Sequence, residues 1–373
     1  MPTQDFTLGV EEEYQIIDPH TRRLRPRVLQ VLPLAQATLG ENAQPEFQAS
    51  QIEMATPVCA TLAEVRTQVV RARRALLEAA ARDGNKIGAA GTHPFSQSAE
   101  QPVTPKPRYQ SMAEQYGHLA RELVIFGCHV HVGLPDPEAG VAVMNRARQW
   151  LAPLLALCAN SPFWEGADTG YASYRTELWV RWPMAGPPLP FASREEHDAL
   201  VQALVAAGSI SDASKIYWDI RLPEKTPTVE FRVADVCLRV DEAVLLAGLV
   251  RALARTCYDL RDEPFQPARP ELLRAAHWRA ARYGLEGELI DIAAGRSVPA
   301  AELVQSLLTF VRPALEEAGD WDEVSALTVE VLRGGNGATR QRAVFAETNR
   351  MEAVVDYILG ETARGTQGSS TSE

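Results

Sequence analysis

The chain has 373 residues, 46% hydrophobic and 23% charged, a balance that fits a globular protein of one or two domains and excludes a disordered or fibrous chain. Its formal charge of −11 argues against a basic nucleic-acid surface or an anionic membrane as partner, and leaves room for an anionic ligand received locally. Five scattered cysteines without a CxxC pair suggest neither a disulfide framework nor a zinc knuckle, and read as small core side chains.

The N-terminus shows no basic segment followed by an apolar stretch. Apolar runs such as 244–250 fall far short of the ~20 residues that span a bilayer. A cytoplasmic protein is expected. Residues 6–18 alternate apolar and acidic side chains before an Asp-Pro turn, which predicts a strand. A second strand is expected over 48–55, closed by Pro57. Thr61 and Glu64 form a capping box for a long helix ending at Arg82, before Gly84. A small-residue strand follows at 86–91, a proline-rich loop at 102–107, a helix at 110–123 and a strand at 124–134. The stretch 137–160 reads as helix with a kink at Pro153. Residues 161–177, rich in Gly, Ser and aromatics, read as a long functional loop. Ser193 and Glu196 open another capped helix, and 215–221 with 228–236 form an expected antiparallel hairpin. From about 240 to 361 the pattern is helical. The whole of 1–361 reads as one domain, and 362–373 as a disordered tail. No strand leads into GxGxxG or GxxxxGK[ST], so any nucleotide site is neither Rossmann nor P-loop.

Four of these strands put polar groups on one face, because residues i and i+2 point the same way. Glu11 and Glu13 share a face opposite Val10, Glu12 and Tyr14. Two carboxylates on one strand face lie about 7 Å apart and repel by roughly 2 kcal/mol at an effective dielectric near 20, so an enclosed face would call for a cation. On the segment alone, a solvated edge strand is the alternative. Glu53 alternates with Ile52 and Met54, His129 and His131 share a face, and Glu230 and Arg232 oppose Val229, Phe231 and Val233. The composite is a polar sheet face with four carboxylates, two histidines and an arginine. Oxygen-rich ligation suits Mg²⁺ or Mn²⁺, which expects phosphate oxygens to complete its shell. Arg175 could clamp a carboxylate, or form a surface ion pair. Gly334 to Arg342 place a Gly-rich turn before a helix that could receive phosphate with Arg340 or Arg342 beside it. A plain helix–helix connection explains the same residues.

At these residues the sequence resembles the carboxylate–amine ligases of the glutamate–cysteine ligase type 2 group. The matching stretches are GVEEEYQIIDP, QIEMATP, GCHVHVGLPD, ANSPFWEGADTGYASYR, YWDIRLPEKTPTVEFRVADV and GNGATRQRAVF, running from Gly9 to Phe345. The resemblance implies an α+β fold, a curved and mainly antiparallel sheet flanked by helices, like that of glutamine synthetase. It implies an ATP-dependent ligase in which a carboxylate, the γ-carboxyl of glutamate, becomes an acyl phosphate captured by an amine such as cysteine, with weak glutamate–cysteine ligase activity. It assigns Glu11, Glu13, Glu53, His129 and Glu230 to magnesium, Arg232, Arg340 and Arg175 to catalysis, and Arg340, Arg342 and Gly337 to the nucleotide. It implies small-molecule substrates and a homo-oligomer. Two rivals remain: a metal-dependent amidohydrolase using the His129-x-His131 pair, and a non-catalytic nucleotide or amino-acid sensor on the same scaffold.

Overall fold

The computed structural model describes residues 5–366. Its frame is a seven-stranded sheet in which every pairing is antiparallel, with helices packed against it and no closed barrel. The spatial order is Ile220–Arg221, Thr228–Asp235, Gly127–Gly133, Leu8–Ile17, Gln51–Ala55, Ala43–Pro45, with Lys86–Gly88 pairing the far end of Leu8–Ile17. The mainly antiparallel α+β fold expected from the sequence is therefore what forms.

Alternation decides what each face meets. Val10, Tyr14, Cys128, Val130, Val132, Val229 and Phe231 are all 2% exposed or less, and they form the back face. Helices Leu62–Arg82 and Val240–Asp259 cover it. The first begins where Thr61 accepts the Glu64 N–H while the Glu64 carboxylate takes the Ala60 N–H, so the capping residues read from the sequence fix the helix start.

Glu12 is the one acid on this back face, and it is fully buried. Arg73 meets it at 2.5 and 3.1 Å, and Tyr14 adds a hydroxyl hydrogen bond. Arg73 also donates to the carbonyls of Leu238 at 3.0 Å and Cys237 at 2.7 Å, so one guanidinium ties sheet, helix and the start of the C-terminal half together.

Several segments differ from the sequence expectation. Helix Val28–Leu39, with Pro33 inside it, and the edge strand Ala43–Pro45 occupy a stretch given no element. The expected loop at 161–177 contains a short helix, Tyr174–Trp179, capped by Ser173. The expected all-helical C-terminal part includes a hairpin, Glu288–Asp291 with Arg296–Pro299. The expected tail starts too early: helix Met351–Ala363 includes Thr362, which is fully buried and accepts the Ala89 N–H. Arg74 holds the Thr366 carbonyl at 2.5 Å. The rest of that tail lies outside the described residues. Among the described residues no helix is long and apolar enough to cross a membrane.

Candidate active site

Strand register, more than nearness in sequence, assembles the polar face. Glu11 stands opposite His129, Glu13 opposite Glu53, His131 opposite Glu230, and Arg221 opposite Glu230. Directly opposed side chains sit about 5 Å apart at Cβ, so each pair is forced into contact. A register shift between Phe231 and Ala234 interrupts the ladder at Arg232, whose N–H goes instead to the Asp219 carbonyl at 2.8 Å. Such bulges re-aim a side chain, and here the guanidinium turns onto Glu230 and the His129 ring.

Glu11, Glu13, Glu53, His129, Arg221 and Arg232 help wall a cavity of about 230 Å³. Glu46 adds a further acid to its lining, and Arg108 and Arg175 further cations. Trp179, Trp182, Tyr109 and Tyr217 supply an aromatic wall, with the Arg232 guanidinium 5.8 Å from the Trp179 ring centre.

Two poles differ in electrostatics. At the first, Glu11 lies 3.2 Å from both His129 and His131, and ligand atoms of Glu11, His131 and Glu230 all fall within 4.8 Å of one another. Burial opposes ionisation of Glu11, but the two imidazoles hold its carboxyl well below the usual range. Burial likewise works against Glu230, yet Arg232 and Arg221, the latter at 2.6 and 3.1 Å, hold it down to about 2. His129 is pushed down to about 4 by burial and by Arg232. His131 is raised: burial is outweighed by the Glu11 and Glu230 carboxylates.

At the second pole the acids lack cations of their own. Glu13 accepts the Gly127 N–H at 2.6 Å and the Gln51 amide at 3.2 Å, yet burial and Glu46 push it up to about 7. Glu53 is raised well above its ordinary value by burial, then by Glu11, Glu46 and Glu13. Glu46 is raised by burial although Tyr109 donates to it at 3.2 Å. Three carboxyls that resist ionising together are a place where a divalent cation lowers the energy. Buried Arg175 Nε, Arg232 Nε, Trp179 Nε1 and Trp182 Nε1 also have no hydrogen-bond partner among the described residues. Unsatisfied buried donors around a cavity mark where a ligand's acceptors would go.

The structure thus brings together Glu11, Glu13, Glu53, His129, Glu230, Arg232 and Arg175. It does not bring Arg340, Arg342 or Gly337 to them. Arg340 pairs with Glu242 and donates to the Gly335 carbonyl at 2.7 Å, lining a separate hollow. Arg342 forks onto Asp168 at 2.7 and 2.9 Å and reaches the Tyr171 carbonyl. At Gly337 a Cβ would strike the Asn160 side chain, so glycine lets helix Gly337–Thr348 dock closely. Gly335, at φ +76°, closes the preceding helix. These three residues sit at a helix–helix connection outside the acid-walled cavity, so the nucleotide role expected for them has no counterpart in that cavity's lining.

Glu46, Arg221 and the aromatic wall escaped the sequence reading. Arg221 was legible in principle, because a 215–221/228–236 hairpin places it beside Glu230. Glu46 follows a three-residue edge strand with no periodic signal of its own.

An acid-rich antiparallel face beside an arginine-lined cavity is a site for divalent cations and an anionic ligand, and comparison with known proteins supplies the family. The model of Glutamate-cysteine ligase family 2 (GCS2) matches residues 7–365, and the chain belongs to that family. It is 44% identical over 369 residues to a protein of Rhodopirellula baltica named "Putative glutamate--cysteine ligase 2", covering 97% of this chain and 98% of that one. A Roseiflexus protein of the same name is 43% identical over 366 residues, covering 98% and 96%. Among solved structures, a glutamate–cysteine ligase from Francisella tularensis in complex with AMP matches with TM-score 0.73 at 12% identity, over 99% of this chain and 90% of that one. A bifunctional glutathione synthetase from Pasteurella multocida matches with TM-score 0.71 at 17% identity, over 96% of this chain and 53% of that one. At such identities these two likenesses speak for the fold alone. The chain is a glutamate–cysteine ligase-like, ATP-dependent enzyme, of a family that generally needs a divalent metal ion. The amidohydrolase alternative finds no support, since the sheet is open and the one metal-type cluster among the described residues holds a single histidine.

Proposed function

We propose that the enzyme activates the γ-carboxylate of glutamate as an acyl phosphate and passes the acyl group to an amine, cysteine being the acceptor named for its relatives, with weak activity toward it. The observation that carries this reading is the single cavity lined by Glu11, Glu13, Glu53 and Glu46 together with buried Arg175 and Arg232 donors that lack a partner among the described residues. The residues present fit divalent cations. Glu11, His131 and Glu230 would hold one, with His129 beside them, and Glu13 and Glu53, with Glu46, a second; the oxygen-rich set suits Mg²⁺ or Mn²⁺. Bound there, such ions neutralise charge on phosphoryl oxygens.

The chain's own groups do the rest. Arg232 and Arg175 offer planar N–H forks to a carboxylate or to the transferring phosphoryl group. Arg221 holds Glu230 ionised and in place. A carboxylate oxygen attacks the γ-phosphorus and ADP departs. The amine then attacks the acyl carbon, phosphate leaves with the carboxylate oxygen, and the amine gives up a proton. The aromatic wall excludes water that would otherwise hydrolyse the acyl phosphate.

The test is ADP release with Mg²⁺, ATP and pairs of acids and amines. ADP formed only when both partners are present supports the reading. Magnesium-dependent ATP binding with no turnover across the panel would favour a sensor instead.

A further inference from the structure

Asp235 is fully buried, and the reaction outlined above gives it no task. It ends strand Thr228–Asp235, opposite Gly127. Its Oδ2 accepts the Asn160 N–H at 2.7 Å and the Ser161 hydroxyl at 2.7 Å, and its Oδ1 accepts the Ser173 hydroxyl at 2.8 Å. All three donors are neutral. The one cation at hand is Arg175, whose Nη1 stands 3.9 Å away.

The two serine contacts lead on to Arg175. The Ser161 hydroxyl accepts the Arg175 N–H at 3.0 Å, and Ser173 caps helix Tyr174–Trp179, which carries Arg175 and Trp179 one turn apart. The Arg175 guanidinium has one long hydrogen bond, Nη2 to the Arg232 carbonyl at 3.3 Å, and its buried Nε has no partner among the described residues. Two glycines leave the space for this arrangement. A Cβ at Gly91 would lie 2.7 Å from the Asp235 carboxyl carbon, and one at Gly127 would lie 2.5 Å from Arg175 Nη2.

A core carboxylate placed only for stability gains nothing from lying beside a cavity arginine without a full ion pair, since an unpaired buried charge is costly. We infer that Asp235 is a positioning residue: held by Ser161 and Ser173, its charge aims Arg175 into the cavity without capturing it, so the fork stays available to the carboxylate substrate. This rests on the ligase reading above. A direct pair at hydrogen-bond distance would hold Arg175 against Asp235 and occupy the donors. The 3.9 Å gap orients the fork and leaves it open.

The test is a double-mutant cycle of Asp235→Asn and Arg175→Lys, read by ADP release at saturating Mg²⁺-ATP while the acid is varied, with Mg²⁺-ATP affinity measured separately by calorimetry. Each single variant should lower kcat/KM for the acid about 100-fold. The double variant should fall no more than about threefold below the worse single one, because both changes remove the same fork. ATP affinity should stay within about threefold of wild type, which a general loss of structure would not spare. Effects that multiply to about 10⁴-fold, an Asp235→Asn enzyme within twofold of wild type, or a parallel loss of ATP affinity would each overturn the assignment. Should Asp235→Asn fail to melt cooperatively, Ser161→Ala takes its place in the cycle, with an expected loss of about 10-fold and the same non-additivity; multiplying effects there refute the proposal equally. A wild-type enzyme that makes no ADP with any acid–amine pair sinks the ligase reading and this one with it, whereas an active wild type with an insensitive Asp235→Asn sinks this one alone.

Discussion

Glu53→Gln separates the electrostatics of the site from its chemistry. Glu53 faces Glu13 across the strand pair, and at about 5 Å two ionised carboxylates repel by roughly 3 kcal/mol at an effective dielectric near 20. Burial and these neighbours raise the Glu53 carboxyl well above its ordinary 4.5. The raised acid keeps its proton in the folded protein where the unfolded chain has released it. Its stabilising contribution is therefore present below 4.5 and is lost as pH rises toward the folded value. Glutamine mimics the protonated acid and does not titrate. Relative to the variant, metal-free wild type should lose about 1.4 kcal/mol for each pH unit between 4.5 and the raised folded value, which lowers its Tm step by step. Scanning calorimetry in EDTA should find the two proteins converging as pH falls to 4.5 and the variant melting higher at pH 7.5. Added Mg²⁺ should reverse the order at pH 7.5, stabilising wild type more than the variant, which keeps only the first cation site, while ADP production by the variant is abolished. A variant that melts below wild type in EDTA at pH 7.5, or responds equally to Mg²⁺, would refute the reasoning.

Arg73→Met strands the buried Glu12 carboxylate and two carbonyls, so urea unfolding should show a loss of about 3–5 kcal/mol; adding Glu12→Gln should recover part of it. Arg232→Lys keeps the charge but loses the fork, and steady-state kinetics should give a kcat at least tenfold lower with the Tm little changed. Glu13 titrates near 7, so Mg²⁺ affinity measured by calorimetry should rise steeply between pH 6 and 8 as its proton leaves; a flat profile would remove it from the metal set. Arg342→Ala, which cuts only the Asp168 fork and the Tyr171 contact, should leave kcat/KM within about twofold of wild type, and a large loss would support the nucleotide role the sequence suggests.

The chemistry-bearing strands were legible because alternation is a local property. Glu11 and Glu13 against Val10 and Tyr14, His129 and His131 against Val130, and Glu230 and Arg232 against Phe231 keep in the fold the faces their spacing gives them. The capped helix Leu62–Arg82 was equally plain from Thr61 and Glu64. What stayed hidden was set at long range. Glu46 joins the acids because Ala43–Pro45 pairs with Gln51–Ala55, a strand too short to announce itself. Glu12 looked like an acid out of place until Arg73, sixty-one positions later, was seen to meet it. The Gly-rich turn before Gly337 has the same local signature whether it receives a phosphate or a neighbouring segment. Asn160 and Gln341 decide for the second.

The central claim is that a carboxylate oxygen ends on phosphate. The direct measurement uses an acid substrate labelled with ¹⁸O in its reacting carboxyl group, turned over with ATP, Mg²⁺ and its acceptor amine, with the released phosphate read by mass spectrometry. One ¹⁸O atom in each phosphate formed is the expected result. Phosphate without label, formed at the same rate as amide, would contradict the acyl-phosphate route.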